Sequence, residues 1–345
     1  MLNDRIEAAW IEAFVETFRA CGVASDHSAI ILSETQSRDL NVHLAELALS
    51  RLGARFFHVR VPTPRPPPGP ILRSTGMSCA LDGQQEATSA LRSVDFIADL
   101  TLEGMMHARQ TADILKAGAR ILTVSNEHPD VLVRMPPDPE LKDACLAAAR
   151  LCRGAEQMQV TSPGGTDLTV AMGGANTVGV WGYTDKPGTL AHWPGGIVVS
   201  FPAAGSVNGR LVFQPGDMNL TFKRYFDSEV ILTLEGDYVT EVDGTGTDAR
   251  LMRDYFASFD DPAAYATSHV GWGLNPNARY EALTSYDQRD LNGTELRAVA
   301  GNFLFSTGAN EFAGRFTRGH FDLPMMGCTI RVDDTEVVKD GALVR

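Results

Sequence analysis

The sequence predicts an α/β domain with a Rossmann-like parallel sheet, followed by a mainly antiparallel, barrel-like β domain that carries one or more helices. Three observations lead there. Strand-like and helix-like segments alternate up to about residue 155. Beyond that, short runs of alternating polarity follow one another between glycine-rich turns. The length of 345 residues exceeds what one hydrophobic core usually organises. The expected division is 1–155 for the α/β domain and 156–345 for the β-rich domain.

The elements follow in order. Ile6, Trp10, Phe14 and Phe18 recur at helical spacing, with Ile11 and Val15 widening the stripe, so an amphipathic helix opens the chain. "AIILSE" (29–34) reads as a buried strand, "NVHLAELALSRLG" (41–53) as a helix stopped by Gly53, and "RFFHVRV" (55–61) as a second strand. "PTPRPPPGP" (62–70) lacks the backbone donors for helix or sheet and predicts an extended loop. Two more strands, "DFIADL" (95–100) and "ARILTVS" (119–125), flank a helix over 108–118, and a long helix over 139–155 closes the domain. Past Gln157, "QMQVTS", "DLTVAMG", "IVVSFP", "RLVFQ" and "EVILTLEGDYVTEVDG" read as antiparallel strands, interrupted by a helix over 247–259.

Composition narrows the function. A net charge of -13 with a pI near 5.0 and no basic block disfavours nucleic acid and anionic membranes as partners. Five scattered cysteines without C-x-x-C spacing suggest reduced thiols, and the N-terminus has no secretory pattern, so a cytoplasmic protein is expected. No strand in the first half is followed by G-x-G-x-x-G, and no nucleotide is inferred.

The eight histidines can be weighed singly. His27, His43, His58 and His128 have ordinary surroundings. In "GHFDLPMMG" (319–327), His320 and Asp322 are two apart in a strand-like run, which turns both to one face. That spacing suits a metal pair or an ion pair at a sheet margin. His269 lies in "SHVGWGLNPNARY" (268–280), where Gly271 and Gly273 permit close backbone approach. His107 falls where a strand of the α/β half gives way to its helix, the end at which such sheets collect ligands. His192 occurs in "WGYTDKPGTLAHWPGG" (181–196), read as a long loop with Trp181, Tyr183 and Trp193. Two histidines and a carboxylate are the donor set of a facial triad, which suits non-haem iron(II). A Ser-His-Asp hydrolase using Ser306 is the rival, but no G-x-S-x-G elbow occurs.

Together, "SHVGWGLNPNARY", "GNFLFSTGANE" (301–311), "GHFDLPMMGCTIRVDD" (319–334) and "WGYTDKPGTLAHWPGG" resemble the 2,5-dihydroxypyridine 5,6-dioxygenases of bacterial nicotinate and nicotine breakdown, which are similar in fold to the M29 metalloaminopeptidases. The resemblance covers most of the chain. It implies a mononuclear iron(II), Fe(2+), held by His269, His320 and Asp322, and a hydroxylated pyridine opened by O2 to an N-formylmaleamate-type product. It also implies His107 and His192 as proton-moving groups near the ring, for which an ordinary histidine pKa near neutrality is suited. Ser306 is expected to bond substrate or oxygen, and Trp181, Tyr183 and Trp193 to wall the pocket. A homo-oligomer is expected by the same analogy.

One departure bears on specificity. Val180 and Trp181 stand where the M29 peptidases carry an acidic pair, which weakens a two-metal peptidase reading. Val180 is also expected to change the polarity of the ring pocket, and with it the ring substituents accepted. An M29-like metallopeptidase, a ring-cleaving dioxygenase for a differently substituted ring, and a binding protein without chemistry are the alternatives.

Overall fold

The computed structural model describes residues 5–64, 77–124, 126–288 and 291–344. A five-stranded parallel sheet has the order Arg55–Val61, Ser28–Glu34, Phe96–Asp99, Arg120–Val124, Leu190–Trp193. Its first four strands lie where the sequence predicts them. Most of the proline segment at 62–70 lies outside the described residues.

The helix Ala8–Ala20 lays Trp10, Phe14 and Phe18 onto this sheet, and its Phe18 ring meets Phe96 with centroids 5.1 Å apart. The helix begins after Ile6, which is left exposed outside the stripe. Asp39–Leu52 ends as predicted at Gly53, whose φ of 72° is a left-handed conformation that suits glycine. The helix expected over 108–118 is shorter, Thr111–Lys116, because the residues before it are drawn into a loop bound by Asp99. Short helices Gln85–Leu91 and Pro129–Arg134 were not foreseen.

The fifth strand of the parallel sheet comes from beyond the boundary expected near 155. Leu190–Trp193 pairs with Arg120–Val124, placing His192 beside Thr123 and Trp193 beside Val124. Sequence patterning alone predicts a loop here. Parallel pairing is a long-range event that four residues do not announce.

The rest of the second half forms two larger antiparallel sheets. One has eight strands, from Tyr238–Asp243 at one edge to Ala342–Leu343 at the other. The other has the order Phe321–Met325, Phe303–Thr307, Thr267–Gly273, Ile197–Phe201, Asn176–Val180. The helix Thr247–Ala257 lies where expected and shares one apolar cluster with both sheets.

Strand alternation sorts the five-stranded sheet into two faces. Val198, Val270, Trp272, Phe303, Phe305, Phe321, Leu323 and Met325 enter the shared core. The residues between them, Val199, Phe201, His269, Leu304, Ser306 and Asp322, lie on the opposite face. Gly271 makes that packing possible, since a Cβ there would stand 1.9 Å from the Val198 carbonyl oxygen.

Candidate functional site

Three adjacent strands bring the site together. His269 is in register with Ser306, and Ser306 with Asp322, so the three side chains stand in a row across the sheet. A β-bulge beside His269 re-aims the start of its strand. His320 precedes the strand of Asp322 and projects to the same side, as the i, i+2 spacing predicts.

The geometry is compact. One ligand atom from each of His269, His320 and Asp322 lies within 4.8 Å of the others, and all three residues are buried. Nε2 of His269 is 3.8 Å from Oδ1 of Asp322, and Nε2 of His320 is 3.1 Å from Oδ2. Nδ1 of His320 and Nδ1 of His269 are buried without a hydrogen-bond partner, while Nε2 of His320 approaches only the Asp322 carboxylate. Orphaned buried nitrogens are costly. Two imidazoles converging on one carboxylate form the donor set that a divalent cation satisfies, so the residues fit a metal.

Electrostatics agree with that reading. Burial works against the charge on Asp322, but Arg297, His320 and His269 outweigh it and hold the carboxyl well below its usual range. Burial pushes His269 down to about 3, which keeps the imidazole neutral and able to ligate. Two residues orient the carboxylate: Arg297 donates from Nε to Oδ2 at 2.6 Å, and Ser306 donates its hydroxyl to Oδ1. The hydroxyl hydrogen of Ser306 is thus engaged by Asp322.

A cavity opens beside this cluster. Met106, His107, His192, Phe201, His269 and Arg297 are among its walls, with about 510 Å³ of free space that takes in solvent at its mouth. One side is the polar face of the antiparallel sheet. The other is built at the carboxyl ends of the parallel strands, where open α/β sheets place ligands.

Two buried carboxylates pin the loops on that side. Asp99, at the end of its strand, accepts from the backbone N–H of Thr101 and Met105 and from the hydroxyls of Thr101 and Thr123, which fixes the loop leading to His107. Glu127 accepts from the N–H groups of Asn292, Gly293 and Thr294, just ahead of Arg297. Burial pushes both carboxyls up.

His107 and His192 both line the cavity. Nδ1 of His107 is 2.6 Å from Oε1 of Glu311. His192 departs from expectation in one respect. Burial, with Arg297 nearby, pushes its pKa down to about 3 rather than leaving it near neutrality. Its Nε2 is buried and unpartnered, so it is a neutral group facing the cavity.

The aromatic residues are elsewhere. Trp193 follows His192 on one strand and therefore points to the opposite face, where its ring packs 5.1 Å from Phe14 and its Nε1 donates to Met135. Trp181 and Tyr183 line a separate cleft with Val180, and Lys142 lies over both rings at 5.2 and 5.3 Å. Val180 sits on the edge strand, across from Ile197, and is absent from the walls of the histidine cavity. Its side chain does not set the polarity there.

Sequence reading missed Arg297, Glu311, Phe201 and Met106. The available signal for Arg297 was a charge set among apolar residues, in "LRAVAGNF" (296–303).

Among comparisons with known proteins, the family model described as NicX, 2,5-dihydroxypyridine 5,6-dioxygenase, matches residues 9–345. A 2,5-dihydroxypyridine 5,6-dioxygenase of Pseudomonas putida KT2440 is 35% identical over 337 residues, covering 96% of this chain and 95% of the relative. The solved structure of 2,5-dihydroxypyridine dioxygenase from Pseudomonas putida KT2440 superposes with a TM-score of 0.91 at 34% identity, covering 100% of this chain and 98% of the other. Wild-type AmpT from Thermus thermophilus gives a TM-score of 0.59 at 13% identity over 98% and 99% of the two chains, a likeness of fold alone. With residues 9–345 matched by its family model and a relative 35% identical over 96% of its length, the chain belongs to the 2,5-dihydroxypyridine 5,6-dioxygenase family.

Proposed function

We propose that this protein is an iron(II)-dependent ring-cleaving dioxygenase that opens 2,5-dihydroxypyridine with O2 to an N-formylmaleamate-type product. The observation that carries the reading is the convergence of His269 and His320 on Asp322, each through its Nε2, beside a cavity that His269 lines. These three would hold the metal. When bound, iron(II) supplies the electron-transfer chemistry that lets O2 react with an aromatic ring.

The chain's own residues do the rest. Ser306 and Arg297 hold the Asp322 carboxylate in one orientation. His107 takes the proton that a ring hydroxyl must lose. His192, neutral and unpartnered, offers a hydrogen bond to a polar ring substituent. Phe201, Val199 and Ile197 supply an apolar wall for a flat ring and exclude water from it. The unpaired cysteines suit a protein working in the cytoplasm.

Anaerobic loading with iron(II), then O2 uptake on adding 2,5-dihydroxypyridine while its ultraviolet band is followed, tests the reading. One O2 consumed per ring lost supports it. Iron bound without uptake overturns the substrate, and failure to bind iron overturns the metal centre.

A further inference from the structure

His107 is held from behind by a residue far along the chain. Glu311 lies on the short turn Glu311–Ala313, and its carboxylate oxygen Oε1 stands 2.6 Å from Nδ1 of His107. The ring is buried and the carboxylate largely so. The turn itself is anchored: Asn310, fully buried, donates from its side chain to Pro202 and accepts from the N–H of Ala313, and its backbone bonds twice with Arg315. On the other side, Asp99 fixes the loop of His107 through Met105. Both partners therefore arrive on constrained backbone.

Burial opposes the charge on Glu311, but the bond to His107 and that ring's proximity lower its pKa below the usual value. An ionised carboxylate only accepts hydrogen bonds. Nδ1 must then carry the hydrogen, which leaves the lone pair on Nε2. The same ring lines the cavity and stands 6.1 Å, centroid to centroid, from His320.

We propose that Glu311 is a positioning residue that fixes His107 as the Nδ1–H tautomer, so that Nε2 accepts the proton leaving the substrate's ring hydroxyl. The hydroxyl O–H bond breaks and an Nε2–H bond forms. The resulting imidazolium is then balanced by the negative charge of Glu311. This deepens the dioxygenase reading and rests on it for the identity of the proton donor.

The test compares wild type, Glu311→Gln and Glu311→Ala in the full-length protein. Iron content, anaerobic binding of 2,5-dihydroxypyridine and kcat by O2 uptake are measured. In parallel, ¹⁵N spectra of ring-labelled histidine are recorded on the zinc(II)-loaded protein, with His107→Gln to assign the signal. Both Glu311 variants should keep iron and substrate affinity, while kcat falls about 10- to 100-fold. The isosteric glutamine should fare no better than alanine, because its amide can donate to Nδ1 and select the opposite tautomer. The wild-type spectrum should show hydrogen on Nδ1 of His107, and the glutamine variant should lose that signature. A glutamine variant turning over at the wild-type rate, or a wild-type His107 protonated on Nε2, overturns the proposal. If wild type consumes no O2, the substrate reading fails, and the tautomer measurement still decides the role of Glu311.

Discussion

Arg297 and Asp322 are joined by a 2.6 Å hydrogen bond between two buried side chains 25 residues apart in sequence. The guanidinium holds in place the one carboxylate of the trio proposed to bind the metal, and its Nη1 bonds Thr294 at 3.0 Å. Ligand orientation at a metal is commonly set by such outer partners.

Replacing Arg297 by methionine should weaken iron(II) binding by about 10- to 100-fold while leaving the three donor atoms present. Metal titration under anaerobic conditions checks this. Unchanged affinity would reduce the ion pair to a packing feature.

His320→Ala and Asp322→Ala should each abolish iron binding and turnover together, since each removes one of the three side chains proposed to hold the metal. Iron content by elemental analysis decides it. Retention of one iron per chain in either variant would disprove the assignment.

The depressed histidine pKa values predict a pH signature in the metal-free protein. His192 titrates near 3 when folded and near 6.5 when unfolded, so between those values the unfolded state binds the extra proton. Stability is therefore fully present above pH 6.5 and falls as pH drops toward 3, by about 1.4 kcal/mol per pH unit for this one proton. Asp217, raised to about 6, contributes with the opposite sign, so the comparison must be differential. Urea unfolding at several values from pH 7 to 5 should give a shallower decline in His192→Gln than in wild type. Parallel declines would show that His192 is already charged in the fold.

Glu127→Ala should leave three backbone N–H groups at residues 292–294 without their acceptor. A loss of about 3 kcal/mol or more in urea unfolding is expected, at about 1–3 kcal/mol for each buried donor left unmade. Turnover should fall as well, because Thr294 and Arg297 follow directly. Glu127→Gln keeps one acceptor and should be milder.

Gly271→Ala should be among the most damaging single changes. Its Cβ would collide with the Val198 carbonyl, and the strands Thr267–Gly273 and Ile197–Phe201 would have to separate. A destabilisation above about 4 kcal/mol is expected, with loss of iron because His269 is on the same strand. Thermal unfolding and metal content measure the two effects.

Much of this architecture was legible in residue patterns, because those patterns are local. The α/β alternation and the shared face of His320 and Asp322 follow from periods of 3.6 or 2, and the cap at Gly53 from the left-handed conformation that glycine adopts. What escaped were features fixed by distant partners. Leu190–Trp193 looks like loop until Arg120–Val124 lies beside it. The aromatic residues of the same segment were assigned to the pocket as a group, yet alternation sends His192 and Trp193 to opposite faces. Arg297 and Glu311 were missed, since only the tertiary fold reveals Asp322 and His107 as their partners.

The strand carrying His192 and Trp193 is shared property. One residue is keyed into the packing of Ala8–Ala20, and its neighbour forms part of the chamber beside the histidine cluster. The chamber thus has no single owner in the chain. A fragment comprising the second half alone would carry all three proposed metal donors and still lack His107, and its His192 strand would be without Arg120–Val124 to pair with. Exchange of halves between relatives should be poorly tolerated for the same reason: each half supplies a wall that the other half's chemistry requires.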